Sequence, residues 1–276
     1  MTKARRVAML ALFAAMSGAA GSGCGPEAPV TPPLPREPAA VAPPATKAEA
    51  TPPAPAVPSG TALATMERVA RAGRYLYVLC RREENAGAEG MRETLARALK
   101  PLGGRAEVVE VDVRDPAESP FVKQFALSRA PMPLVLVLAP NGAVTAAMPL
   151  RASDAQFREA LVGPGTAESL KGIQSGRTVL LCVQGGSTEQ NAEALEGVGS
   201  VAADPQYKDK VRVVTLHPED PDEAATLRNL KLDPKAGEAV TVVLSSAGVA
   251  GTFRGVTTRA VLEKAISDCT SCGPTG

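Results

Sequence analysis

An internal repeat constrains this chain more than any other feature. Laid against itself at an offset of 103 to 106 residues, the sequence after the first 60 shows one pattern twice. Residues 67–74 (ERVARAGR) fall on 168–177 (ESLKGIQSGR), and each leads into an apolar run ending in cysteine, 75–80 and 178–182. Short apolar runs bounded by polar residues predict buried strands. Segments of helical spacing follow: Met91, Leu95, Leu99 and Leu102 in the first copy, Ala192, Leu195, Val198 and Val201 in the second. Residues 106–112 (AEVVEVD) match 211–217 (VRVVTLH), and both lead into Asp-Pro, at 115–116 and 220–221. Residues 122–127 (VKQFAL) match 227–232 (LRNLKL), short helices with apolar residues at i, i+3 and i+5. A third strand pair, 134–138 and 240–244, precedes Asn141-Gly142 and Ala247-Gly248, which signal hairpins. A short strand and a helix close each copy, with Phe157, Leu161 and Val162 in the first and Val261, Leu262, Ala265 and Ile266 in the second.

The order helix, β, α, β, α, β, β, α places parallel strands joined by helices ahead of an antiparallel hairpin. The expected fold class is α/β: two domains, 61–164 and 165–268, each with a mixed central sheet and helices on both faces. Such a chain is long enough for two cores of about 100 residues each. Residues 269–276 are left as a tail.

That element order, together with residues 132–142 (MPLVLVLAPNG), resembles the thioredoxin superfamily, in which a cis-proline precedes the third strand and an Asn-Gly or Asp-Gly hairpin follows it. Pro133 is the matching residue. In the second copy Ala239 stands in its place, and Pro234 comes too early to substitute. The resemblance implies tandem thioredoxin-like domains over about 200 residues. It also implies where chemistry would reside: a Cys-x-x-Cys at the start of the helix after the first strand, where amide donors and the helix dipole stabilise a thiolate. Those places fall at Asn85-Ala-Gly-Ala88 and Ser187-Thr-Glu-Gln190, which contain no sulfur. Asn85 and Ser187 read as helix N-caps. Neither the Cys, Thr and Arg set of a peroxidase nor the Tyr of a glutathione transferase is offered. Tandem redox-silent domains of this type in disulfide isomerases bind unfolded or apolar segments, so the resemblance implies a protein- or peptide-binding module.

At the front, Lys3, Arg5 and Arg6 precede an apolar run, residues 7–20, too short to span a bilayer comfortably. Small residues, Gly21-Ser-Gly, then lead directly into Cys24, which resembles the lipobox of bacterial lipoproteins, with Gly21 where that motif usually has Leu. The resemblance implies a signal peptide over 1–23, a diacylglyceryl thioether on Cys24 and an acylated N-terminus; an ordinary secretory peptide cut nearby is the alternative. Gly25, standing where Asp would retain a lipoprotein in the inner membrane, implies the outer membrane facing the periplasm. Residues 24–60 form a tether, whose twelve prolines between 26 and 58 favour polyproline II and cannot bury a core. The expected partners are the membrane, through the lipid, and an envelope protein or peptide.

Thirty basic residues against 29 acidic ones leave no electrostatic footprint for nucleic acid. The absence of Trp and an aromatic content of 3% leave little material for stacking on bases or sugars. Cys80 and Cys182, at the ends of equivalent apolar strands, read as small core hydrophobes. Cys269-Thr-Ser-Cys272, expected after the last helix in a chain exported to an oxidising compartment, permits a disulfide clip, a redox pair or half of a metal site. The redox pair carries the alternative function, a thiol-disulfide oxidoreductase. Against it, a thiol at a helix C-terminus meets the negative dipole end, which raises its pKa. Zinc or copper requires more ligands than two. His217, the sole histidine, reads as a solvated strand-end residue, and neither cofactor nor metal is expected.

Overall fold

The computed structural model describes residues 61–271; Cys24, the predicted signal peptide, the tether and Cys272 lie outside the described residues. The first sheet contains β1 (Tyr75–Arg81), β2 (Ala106–Asp112), β3 (Leu134–Leu138) and β4 (Val144–Pro149), in the order β2-β1-β3-β4. β1 and β2 are parallel, while β3 runs antiparallel to β1 and β4 antiparallel to β3. The second sheet repeats this with β5 (Thr178–Val183), β6 (Val211–Leu216), β7 (Val240–Ser245) and β8 (Gly248–Arg254), ordered β6-β5-β7-β8. A parallel pair needs a crossover, and α2 (Ala86–Leu99) and α6 (Asn191–Ala202) supply it. The topology is that of two thioredoxin-like domains in tandem.

Alternate strand residues face opposite ways, so each sheet carries two cores. Tyr77, Leu79 and Val137 meet Met91 and Leu95 of α2 and Phe157 of α4 (Asp154–Glu159). Leu76, Val78 and Leu136 meet Val69 of α1 (Ala62–Arg71) and Phe121 of α3 (Ser119–Gln124). In the second domain Leu180 and Val243 face α6 and α8 (Arg259–Ser271), and Leu181 and Val242 face α5 (Pro164–Gln174) and α7 (Ala224–Asn229).

Ladder registers fix which residues of the two copies correspond. Tyr75 and Thr178 open the parallel ladders opposite Ala106 and Val211, so β1 and β5 correspond at an offset of 103. Leu79 therefore matches Cys182, and Cys80 matches Val183. The two cysteines are not equivalent, because a slip of one residue reverses the face. Cys80 lies in the core of α1 and α3, Cys182 in that of α6 and α8. Along α6 the buried residues are Ala194, Val198 and Val201, in the places of Met91, Leu95 and Ala98. Ala192 and Leu195, expected inside, are exposed, as is Val261 on α8. The left-handed backbone positions repeat as well: Gly73 with Gly176, Ala126 with Lys231, Gly142 with Gly248, and Leu150 with Gly255. α8 continues through Ser271, so the backbone of Cys269 is helical and not beyond the helix. The first strong breakers are Gly273 and Pro274.

α5 belongs to both domains. Its Ala167 and Leu170 pack with Val162 on the first core, and Ile173 packs on the second. The Gln174 side chain accepts the Val144 N–H at 3.0 Å and donates to the Val144 carbonyl at 2.7 Å, imitating a strand partner at the open edge of β4. The ends of both domains' first helices are held by a second repeated device. Glu118 accepts the Ala62 N–H at 3.0 and 3.1 Å, and Glu223 accepts the Thr166 N–H at 3.1 Å, each carboxylate meeting unpaired amides at a helix start.

Candidate functional site

In the first domain the place where the superfamily resemblance puts chemistry is a hollow of about 250 Å3 lined by Arg81, Arg82, Glu83, Asn85, Met132 and Pro133. Its floor is set by β1, which delivers Arg81, and by the loop entering β3, where the Met132–Pro133 peptide is cis. Asn85 is the N-cap of α2 and accepts the Ala88 N–H at 3.0 Å; Ala88 is buried behind it. The Pro133 carbonyl accepts the N–H of Leu150, a residue 54% exposed. The Arg82 guanidinium donates to the Ser128 carbonyl at 2.6 Å, fixing one wall.

Charge organises the rim. Arg92 of α2 grips Glu110 of β2 with two hydrogen bonds, 2.6 and 3.0 Å, and donates to Glu84 at 2.9 Å. Arg81 adds ion pairs to Glu84 at 3.3 Å and to Glu110 at 3.7 Å, the former poorly aligned for a hydrogen bond. The Arg92 bonds hold Glu110 below the ordinary carboxylate range and raise the guanidinium in turn. The network links β1, β2, α2 and the loop between β1 and α2, although Arg81 Nε, buried within it, makes no hydrogen bond. Sequence reasoning missed this set, although Arg92 and Glu110 lie on two segments it identified and Glu84 immediately before the predicted cap Asn85.

The corresponding place in the second domain is built differently. Offset 103 pairs Asn85 with Thr188 and Ala88 with Asn191, one residue on from the expected Ser187 and Gln190. Ser187 caps nothing; the N-cap position is held by Gln190 in a left-handed conformation without a side-chain bond. In place of a helical first turn, the loop is tied by Thr188, which donates to Asn191 Oδ1 at 2.6 Å and accepts the Gly185 N–H at 2.9 Å. The Glu189 N–H then donates to the Gly237 carbonyl at 2.8 Å, and the Ala239 N–H donates to the Glu189 carbonyl at 2.9 Å. A parallel bridge between Glu189 and Glu238 results. No equivalent of the Arg92 network exists here, because Leu195, Ser187 and Thr215 occupy the places of Arg92, Glu84 and Glu110.

Both described thiols are buried and unpaired. Burial pushes the Cys80 thiol up to about 12, helped by the negative charge of Glu118, and pushes Cys182 up to about 11 against a bond with Thr241. Both stay protonated and unreactive at neutral pH. His217 is exposed just past β6, an edge strand. Among the described residues, no three His, Cys, Asp or Glu side chains gather as a metal site.

No family model matches the chain, and no curated protein matches it in sequence. Solved structures do. The first two thioredoxin domains of Saccharomyces cerevisiae Eps1p align at 8% identity over 81% of this chain and 100% of that one, with a TM-score of 0.32. Form II of human ERp44 aligns at 9% identity over 79% of this chain and 60% of that one, at 0.33. A thioredoxin from Thermus thermophilus aligns at 19% identity over 41% of this chain and 88% of that one, at 0.29. On its own strand order and ladder directions, repeated in both sheets, the chain is a tandem of two thioredoxin-like domains.

Proposed function

We propose that this chain is a membrane-anchored envelope lipoprotein whose two thioredoxin-like domains form a protein- or peptide-binding module, silent in thiol chemistry at the superfamily's usual positions. The observation that carries the reading is the hollow beside Pro133, whose walls offer charged and amide side chains and an exposed Leu150 nearby, but no thiol. Arg82 in its wall is held by the Ser128 carbonyl and Arg81 by Glu84 and Glu110, a polar lining suited to recognition of polypeptide. Lipid on Cys24 and the tether over 24–60 would present the module in the envelope, with the outer membrane as the expected site.

The test combines fractionation and binding. The mature protein is expected in the membrane fraction with a lipidated Cys24 at its N-terminus, and Cys24→Ser is expected to release it or leave it unprocessed. A labelled, permanently unfolded polypeptide, reduced and carboxymethylated α-lactalbumin, is expected to bind saturably and to bind more weakly to Leu150→Asp. An unlipidated N-terminus elsewhere than Cys24, or no binding of the unfolded probe, contradicts the proposal.

A further inference from the structure

The two domains share a fold, yet the loops beside their corresponding grooves are built differently, and two substitutions at corresponding positions account for the difference. Pro133 corresponds to Ala239, since the carbonyl of each accepts an N–H from corresponding left-handed residues, Leu150 and Gly255, both at 2.7 Å. Proline has no N–H to donate. Alanine has one, and in the second domain it is the Ala239 N–H that reaches the Glu189 carbonyl and closes the bridge.

The second difference concerns space. Leu150 has φ 66° and carries a side chain at this position, whereas Gly255, at φ 64°, has none. A Cβ on Gly255 would come within 2.3 Å of Gln190 Oε1 and 3.3 Å of Glu238 Oε2. Gln190 therefore folds over the glycine, and the loop it belongs to can settle against residues 237–239. In the first domain the same arrangement lacks its donor at Pro133 and its glycine at Leu150, and Asn85 holds the first turn of α2 in helical form.

We infer that the second domain's groove is permanently occupied by its own loop through the Glu189–Glu238 bridge, so that the chain offers an extended polypeptide one open groove, at Pro133, and not two. The second domain then serves as a rigid partner that seals the β4 edge through α5. This inference rests on the binding reading for its ligand, but the closure itself does not depend on it.

Hydrogen exchange on the full chain tests the closure without any ligand. The Glu189 amide is expected to be protected, and Ala239→Pro is expected to speed its exchange by roughly tenfold or more while β5 amides such as Leu181 stay protected. Carboxymethylated α-lactalbumin is expected to bind the parent at one site per chain, weakened by Leu150→Asp, and Ala239→Pro at two. Should Ala239→Pro fail to fold, Gly255→Leu displaces Gln190 at a conformation that Leu150 already adopts, and the same loss of Glu189 protection is expected. Free exchange of Glu189 in the parent, or unchanged Glu189 protection in the folded variants, overturns the closure. A second site in the parent, or only one in a variant whose bridge has opened, overturns the single-groove conclusion. Absence of probe binding to all forms would refute the binding reading while exchange still decides the closure.

Discussion

Phe157→Ala is expected to lower the stability of the chain by about 3 to 5 kcal/mol. The ring is fully buried and meets Tyr77 edge to face, centroids 6.3 Å apart at 69°, and the Tyr77 hydroxyl donates to the Phe157 carbonyl at 2.6 Å. Its helix, α4, has six residues, too few to be stable alone. The capping box of Ser153 and Gln156 and the exposed Arg97–Asp154 pair hold its start, but Phe157 is its one fully buried anchor to the sheet. Truncation leaves a cavity beside Tyr77 and frees a helix that covers one face of the first core. Urea unfolding of parent and variant measures the loss; a change below about 1 kcal/mol would mean that the helix is held by other contacts.

Glu223→Ala is expected to cost about 2 to 4 kcal/mol, and more than Glu118→Ala, which removes the corresponding cap from the first domain. Glu223 is 1% exposed; it accepts from both the Thr166 N–H and the Thr166 hydroxyl, and that hydroxyl lies 2.7 Å from Thr226 Oγ1. Gly163 lies so close that a Cβ there would approach the carboxyl carbon to 2.3 Å, which explains why the linker enters α5 through glycine. Without the carboxylate, buried donors at the start of α5 lose their acceptor, and α5 is the helix packed on both domains. Glu118 is half-buried, so water can replace it more easily. Equal losses for the two variants would contradict the part assigned to burial.

Strand content was legible because each strand is an apolar run closed by charge or turn residues, and two copies reinforced each other. The slip came from cysteine. Aligning Cys80 with Cys182 sets an offset of 102, whereas the ladders require 103, and that single step moved the position corresponding to Asn85 from Thr188 to Ser187. The apolar residues of α6 are small and loosely spaced, so Leu195 outweighed Ala194 in a hydrophobic reading. Ala239 stood out as a departure from proline, but its consequence lies in a backbone donor whose acceptor, Glu189, is 50 residues away in a loop with no side-chain signature. Glu118 and Glu223 were hidden for a similar reason: the Asp-Pro punctuation ahead of each marked a turn, while the helix end each carboxylate serves is distant in sequence.

The proposal that neither domain carries thiol chemistry is tested most directly by disulfide-reductase and isomerase turnover of the full chain beside its Cys269→Ser/Cys272→Ser variant. With Cys80 and Cys182 buried and protonated, and no sulfur at Asn85–Ala88 or Thr188–Asn191, neither protein is expected to turn over, and both are expected to capture the same partners. Substantial turnover in the parent that vanishes in the variant would contradict the binding module and establish an oxidoreductase working through its C-terminal pair.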